Sequence, residues 1–340
     1  VKNGIFALLL VAIVVGIASL LAERAEQARH AQQASGLQEN VKPLSREDYQ
    51  RVRDSLFSLL ETEGARAALD ALFAQTESDP SAAHSCHLLA HELGQKAYAK
   101  YGDFGKALSF SREMCNSGYF HGIIEARFKE SGDIFAAMRE VCRDYPDESF
   151  TGWECYHGVG HGLMFFTDND LPHSLEACDT YENEFKRSNC ANGVFMENFN
   201  SDQKLHKSAY LKESDPFYPC AEQTERHKPN CYFYAPEYFL HLHYSDYRAA
   251  LSWCTTAEAP YQAVCVRNVA GNAIVQNAAN PKGVESLCLS ASREQKIPCI
   301  EGMVSLYINH FGSLEPARTL CGTLEKENQT LQENINYFSR

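Results

Sequence analysis

Cysteine spacing constrains this chain more than any other feature. Thirteen cysteines run from Cys86 to Cys321. Cys155 to Cys178, Cys231 to Cys254 and Cys265 to Cys288 are each 23 residues apart, and Cys299 to Cys321 is 22. The intervals Cys220 to Cys231, Cys254 to Cys265 and Cys288 to Cys299 are each 11. A fixed beat of this kind marks a repeated structural unit, and so many cysteines mark an oxidising compartment.

The unit reads as a pair of helices. In CHLLAHELGQKAYAKYGDFGKALSFSREMC, Cys86 to Cys115, Leu89, Leu93 and Tyr98 fall at helical spacing, Tyr101-Gly102-Asp103 breaks the run, and a second amphipathic stretch follows. Gly118 to Cys142 has the same form, broken at Ser131-Gly132-Asp133, and later units open at Cys155, Cys190, Cys231, Cys265 and Cys299. A cysteine-free hairpin over 45–77 precedes them, where Ser45 to Asp48 gives a capping-box-like start. No run of alternating strands appears. The expected fold is all-α, a tandem series of disulfide-stapled helical hairpins forming an α/α superhelix or toroid.

The amino terminus carries an apolar run, Ile5 to Leu21, which leads into Leu20-Leu21-Ala22-Glu23, a poor cleavage site. That pattern reads as one N-terminal transmembrane helix, an uncleaved signal-anchor over 1–22 with Lys2 on the cytoplasmic side. Residues 23–44, rich in Ala, Glu, Gln and Arg, read as a solvated stalk, and 45–340 as the repeat domain, placed outside the cytoplasm, periplasmic or extracellular. The net charge of −13 argues against a nucleic-acid partner. Asn328-Gln329-Thr330 is a glycosylation sequon that matters only in a host with that machinery.

Spacing leaves the cysteine pairing open. Bridges within a hairpin (Cys155–Cys178, Cys190–Cys220, Cys231–Cys254, Cys265–Cys288, Cys299–Cys321) and bridges across the 11-residue connections both bring together chain ends on one edge. The stretch from Cys86 to Cys115 resembles the cysteine-rich Sel1-type repeats, in which the two helices of each repeat are stapled. That resemblance implies the within-hairpin scheme, with Cys86–Cys115 as the first bridge and Cys142 as the odd thiol. It covers one unit well, and from it we take architecture and no function.

The candidate chemistry lies on three successive first helices. His87 and His91, His121 and Glu125, and His157 and His161 are each four residues apart, so each pair projects from one helix face. Stacked hairpins bring those faces side by side. Neutral imidazoles with a carboxylate suit a divalent or transition metal: zinc, iron, copper or manganese. A single histidine beside glycine is ordinarily a hydrogen-bonded core residue; three such pairs in register are what core packing has no reason to repeat. HLLAHE is not the zinc-peptidase HExxH helix, and no CxxCH occurs for covalent haem. Polar groups continue in later units, at Asn192, Glu197, Asn198, Asn200, Glu237, Arg267, Asn268, Asn272, Glu301, Asn309 and His310, as in a wet groove or a solvated face.

Two function classes follow. One is a membrane-anchored, extracytoplasmic metal-binding protein or metalloenzyme with Glu125 or Glu92 as the available base. The other is an accessory subunit that docks onto a membrane protein complex, its histidines structural.

Overall fold

The computed structural model describes residues 41–323 apart from 112, 113, 116, 132, 202–207, 312 and 313, and before them residues 24, 25, 28–30, 32 and 34–37. Among the described residues there is no strand, and fifteen α-helices carry the body of the fold. Helices α1 (Arg46–Glu63) and α2 (Ala65–Ser78) form the cysteine-free hairpin. Then come α3 (Pro80–Tyr101), α4 (Phe104–Leu108), α5 (Gly118–Glu130), α6 (Ile134–Val141), α7 (Phe150–Phe166), α8 (Leu171–Asp179) and α9 (Glu184–Asn200). The series ends with α10 (Lys228–Leu242), α11 (Tyr247–Cys254), α12 (Gln262–Gln276), α13 (Pro281–Ser290), α14 (Arg293–Phe311) and α15 (Leu314–Thr323).

The longer helices α3, α5, α7, α9, α10, α12 and α14 pack each against the next as an inner layer. The layer curls back on itself, since α3 also touches α12. The short helices α4, α6, α8, α11, α13 and α15 form the outer layer. Five of them begin at an Asp or Asn N-cap: Asp103, Asp133, Asp170, Asp246 and Asn280 each accept a backbone N–H in the first turn. A cap of this type is worth about 1 kcal/mol and fixes where each second helix starts. Between the layers lies the apolar core, with Phe128, Met138, Leu163 and Val194 fully buried. One unit departs from the pattern. After α9, residues 208–227 carry only a short 3-10 turn, Cys220–Glu222, where a second α-helix was expected.

Six disulfides are formed, and they correct the pairing implied by the Sel1-type resemblance. Cys86–Cys115 lies within its hairpin, but Cys142–Cys155, Cys178–Cys190, Cys220–Cys231, Cys254–Cys265 and Cys288–Cys299 cross the connections between hairpins. Each clips the end of an outer element to the first turns of the next inner helix, closing sequence separations of 11 to 13. The bridges therefore staple repeat to repeat. Cys142 is paired, and Cys321, whose side chain lies outside the described residues, is the one with no cysteine left to it. So many disulfides fit an oxidising, extracytoplasmic compartment.

The apolar run 5–21 and the sequon at 328–330 lie outside the described residues. Among those described, no helix is long and apolar enough to cross a membrane. The stalk reading of 23–44 needs correction in its described part. Ala34 and Leu37 are buried, and the turn Ala34–Gly36 packs on α13 at the far end of the repeat series. Burial of these two side chains supplies the apolar contact that the composition of 23–40 did not advertise.

Candidate metal centre

Helices α3, α5 and α7 approach closely enough to bring their histidines together. Glycine makes this possible. A Cβ on Gly122 of α5 would lie 2.0 Å from the His91 carbonyl oxygen on α3, so the two backbones meet where only hydrogen fits. The result is a cluster of imidazoles in the inner layer. His121 and His161 stack with centroids 4.3 Å apart, and His87 and His91 lie 5.3–5.7 Å from both. One ring nitrogen from each of His87, His91, His121 and His161 lies within 4.8 Å of the other three. A second group, His91, Glu125, His161 and Glu197, meets the same limit.

Hydrogen bonds fix the tautomers. A carbonyl oxygen only accepts, so His87 Nδ1, 2.8 Å from the Cys115 carbonyl oxygen, carries a proton. Likewise His91 Nδ1 donates to Glu125 and His161 Nδ1 to Glu197, each at 2.7 Å. Gln95 donates to the other Glu125 oxygen at 2.7 Å. In the neutral rings, then, Nε2 of His87, His91 and His161 is a bare lone pair, and the first two face each other at 3.0 Å. His121 is 1 % exposed, and neither of its ring nitrogens has a hydrogen-bond partner. Two opposed lone pairs are costly unless a proton or a metal cation lies between them, and a proton there would still leave the buried His121 ring without a partner.

Burial, reinforced by the mutual repulsion of the rings, pushes His87, His121, His157 and His161 well below the usual imidazole range. They are neutral, the form that binds metal. Burial also pushes His91 down, but the charge and hydrogen bond of Glu125 outweigh it and leave His91 raised. Glu125 is itself buried, and its described hydrogen-bond partners are His91 and Gln95.

Of the residues singled out by sequence, His87, His91, His121 and His161 share one group, and Glu125 stands behind His91 as its hydrogen-bond acceptor. His157 falls in neither group: its Nε2 lies 3.1 Å from His161 Nε2 and 3.3 Å from Met196 Sδ. Glu92 turns away from the cluster to Tyr49 and Arg53 of α1, so it cannot serve as a base there. Glu197, read only as part of a polar row, is the partner of His161; it follows His161 by 36 residues as Glu125 follows His91 by 34, a parallel the spacing carried. Asn198 is not on the same face, since it bonds Ser208 and Tyr210 of the outer segment. The side chains of Asn309 and His310 lie outside the described residues.

Comparison with protein families, with curated proteins and with solved structures finds no match. The Sel1-type resemblance therefore gains no support beyond its one unit, and the site is read from its own geometry.

Proposed function

We propose that this is an extracytoplasmic metal-binding protein whose inner layer holds one divalent transition ion, zinc foremost, on His87, His91, His121 and His161. The observation that carries this reading is the convergence of four ring nitrogens within 4.8 Å of one another, with His87 and His91 Nε2 3.0 Å apart beside the unpartnered His121. Tetrahedral coordination with bonds of about 2.0–2.1 Å sets ligand nitrogens about 3.4 Å apart, close to that spacing. Each of His87, His91 and His161 uses its other nitrogen on a carbonyl or carboxylate, the usual way a ligating imidazole is oriented. Glu125 and Glu197 also balance the two positive charges of such an ion.

Four imidazoles fill a tetrahedral shell, and Glu92 is turned away. The arrangement thus favours holding an ion over activating a bound water. A membrane tether over Ile5–Leu21 remains part of the proposal. Elemental analysis of the purified full-length chain tests the centre. One equivalent of metal is expected, lost when His121 and His161 are both replaced by Ala and retained in His227→Ala, whose ring bonds Asp179 instead. A metal-free protein, or one whose metal survives both cluster substitutions, would leave the histidines structural, as an accessory subunit requires.

A further inference from the structure

The four-imidazole set leaves one imidazole of the cluster unused. His157 is 2 % exposed, one turn before His161 on α7, and its Nδ1 has no hydrogen-bond partner. Its Nε2 is shared between His161 Nε2 at 3.1 Å and Met196 Sδ of α9 at 3.3 Å. The Trp153 ring stacks on the imidazole, centroids 5.1 Å apart, and holds its plane. Met196 is buried as well. A thioether sulfur is a weak hydrogen-bond acceptor, so hydrogen bonding gives little reason to bury an imidazole against it. As a metal ligand the same sulfur is soft and selects monovalent copper.

We propose that His157 Nε2, His161 Nε2 and Met196 Sδ form a second, soft site that takes cuprous copper. His87 and His91 make one close pair and His157 and His161 another. The His121 ring lies nearer the second pair, its centroid 4.3–5.1 Å away against 5.5–5.7 Å from the first, but the group of nitrogens it shares within 4.8 Å contains His87, His91 and His161 and leaves out His157. His157 Nε2 stands 3.1 Å from His161 Nε2 and 3.3 Å from Met196 Sδ, near the spacing of donors around one ion bonded at about 2.0 Å to nitrogen and about 2.3 Å to sulfur. The donors are neutral, and Glu197, hydrogen-bonded to His161, lies on the side of the cluster nearer this site. His161 is common to both sets. When the soft site fills, the first ion keeps His87, His91 and His121. The soft site extends the metal centre but does not depend on zinc being there.

Anaerobic titration of the zinc-loaded, full-length chain with cuprous copper tests this, read by metal content and copper X-ray absorption. The expected result is one equivalent of copper bound with zinc retained, and a sulfur shell at about 2.3 Å. In Met196→Leu, a near-isosteric change, the sulfur shell should vanish and copper should bind about tenfold or more weakly, with zinc content unchanged. A copper shell of nitrogen alone, one-for-one displacement of zinc, or equal copper binding by Met196→Leu would overturn the soft site. Copper bound with its sulfur shell in a chain that takes up no zinc would uphold the soft site and sink only the four-imidazole reading.

Discussion

The first four inner helices and the last three share one architecture and differ in the chemistry of their polar side chains. Both halves pair long inner helices with short outer ones, the α9 unit excepted, and both clip consecutive units with a disulfide across the connection. Around α3 to α9 the polar groups are imidazoles with opposed or orphaned nitrogens. Around α10 to α14 most inner-layer polar groups answer one another, although Tyr238 Oη and Gln276 Oε1 are buried without a partner. Arg267 pairs with Glu301 at 2.6 Å, Asn272 donates to Asn268 at 2.9 Å, and Glu237 accepts from Asn200 and Asn268. The same scaffold thus carries one half whose charged and amide groups pair with one another and one half whose imidazoles converge unpaired, so the repeat explains the fold and only the histidines explain the site.

A matched pair of glycine substitutions breaks the comparison most sharply. A Cβ at Gly122 would lie 2.0 Å from the His91 carbonyl oxygen, and a Cβ at Gly302 equally 2.0 Å from that of Arg267. Neither contact can be relieved by turning a side chain, so in each case two inner helices must separate. Gly122→Ala and Gly302→Ala should each cost about 3 kcal/mol in denaturant unfolding. Only Gly122→Ala should also lose its metal, because only there does the separation pull histidines apart. Equal metal content in the two variants would show that the cluster does not depend on this close approach.

Removing bridges gives a smaller contrast. The double variants Cys142→Ser/Cys155→Ser and Cys288→Ser/Cys299→Ser open loops of similar length and should each lose about 2–3 kcal/mol by chain entropy. Cys155 lies two residues before His157 on α7, so the first variant should weaken metal binding several-fold while the second leaves it unchanged. Zinc titration against a chromophoric chelator reads the difference.

The fold was legible because two periodic signals agreed: the 23- and 11-residue cysteine beat set the unit, and Tyr101-Gly102-Asp103 with its counterparts marked the Asp-capped second helices. The register of His87, His91, His121 and His161 was legible for the same reason, since residues at matching repeat positions share a face. The pairing of cysteines was not. Within-unit and between-unit partners sit on one edge, and which pair meets is decided by how consecutive hairpins stack, a tertiary fact absent from spacing. Nor could sequence tell that Glu92 faces α1, because a carboxylate's side of a helix depends on which neighbours pack there. The segment 208–227 failed as a second helix in the unit whose cysteines, Cys190 and Cys220, are 30 apart and break the beat.

The smallest effect concerns the second half and its response to pH. Burial pushes Glu237 up from 4.5 to about 7, against the hydrogen bonds of Asn200, Asn268 and Asn272 that pull it down. Its folded value lies above its unfolded one, so the folded state favours the protonated form. That contribution to stability is fully present below about pH 4.5 and is lost as pH rises through 7. The full shift would be worth about 3 kcal/mol, and partial solvent contact reduces it to about 1–2 kcal/mol. Glu237→Gln, which keeps the amide contacts available and cannot ionise, should therefore be more stable than the parent at pH 8 by that amount and no more stable at pH 4.5. The imidazole half moves the other way, because buried neutral histidines with lowered values lose stability, and release metal, as pH falls below about 6.5. Urea unfolding of the parent and Glu237→Gln at the two pH values, with metal content followed in parallel, separates the two responses. A Glu237→Gln profile that tracks the parent at both would mean that the carboxyl keeps its charge at no cost inside the layer.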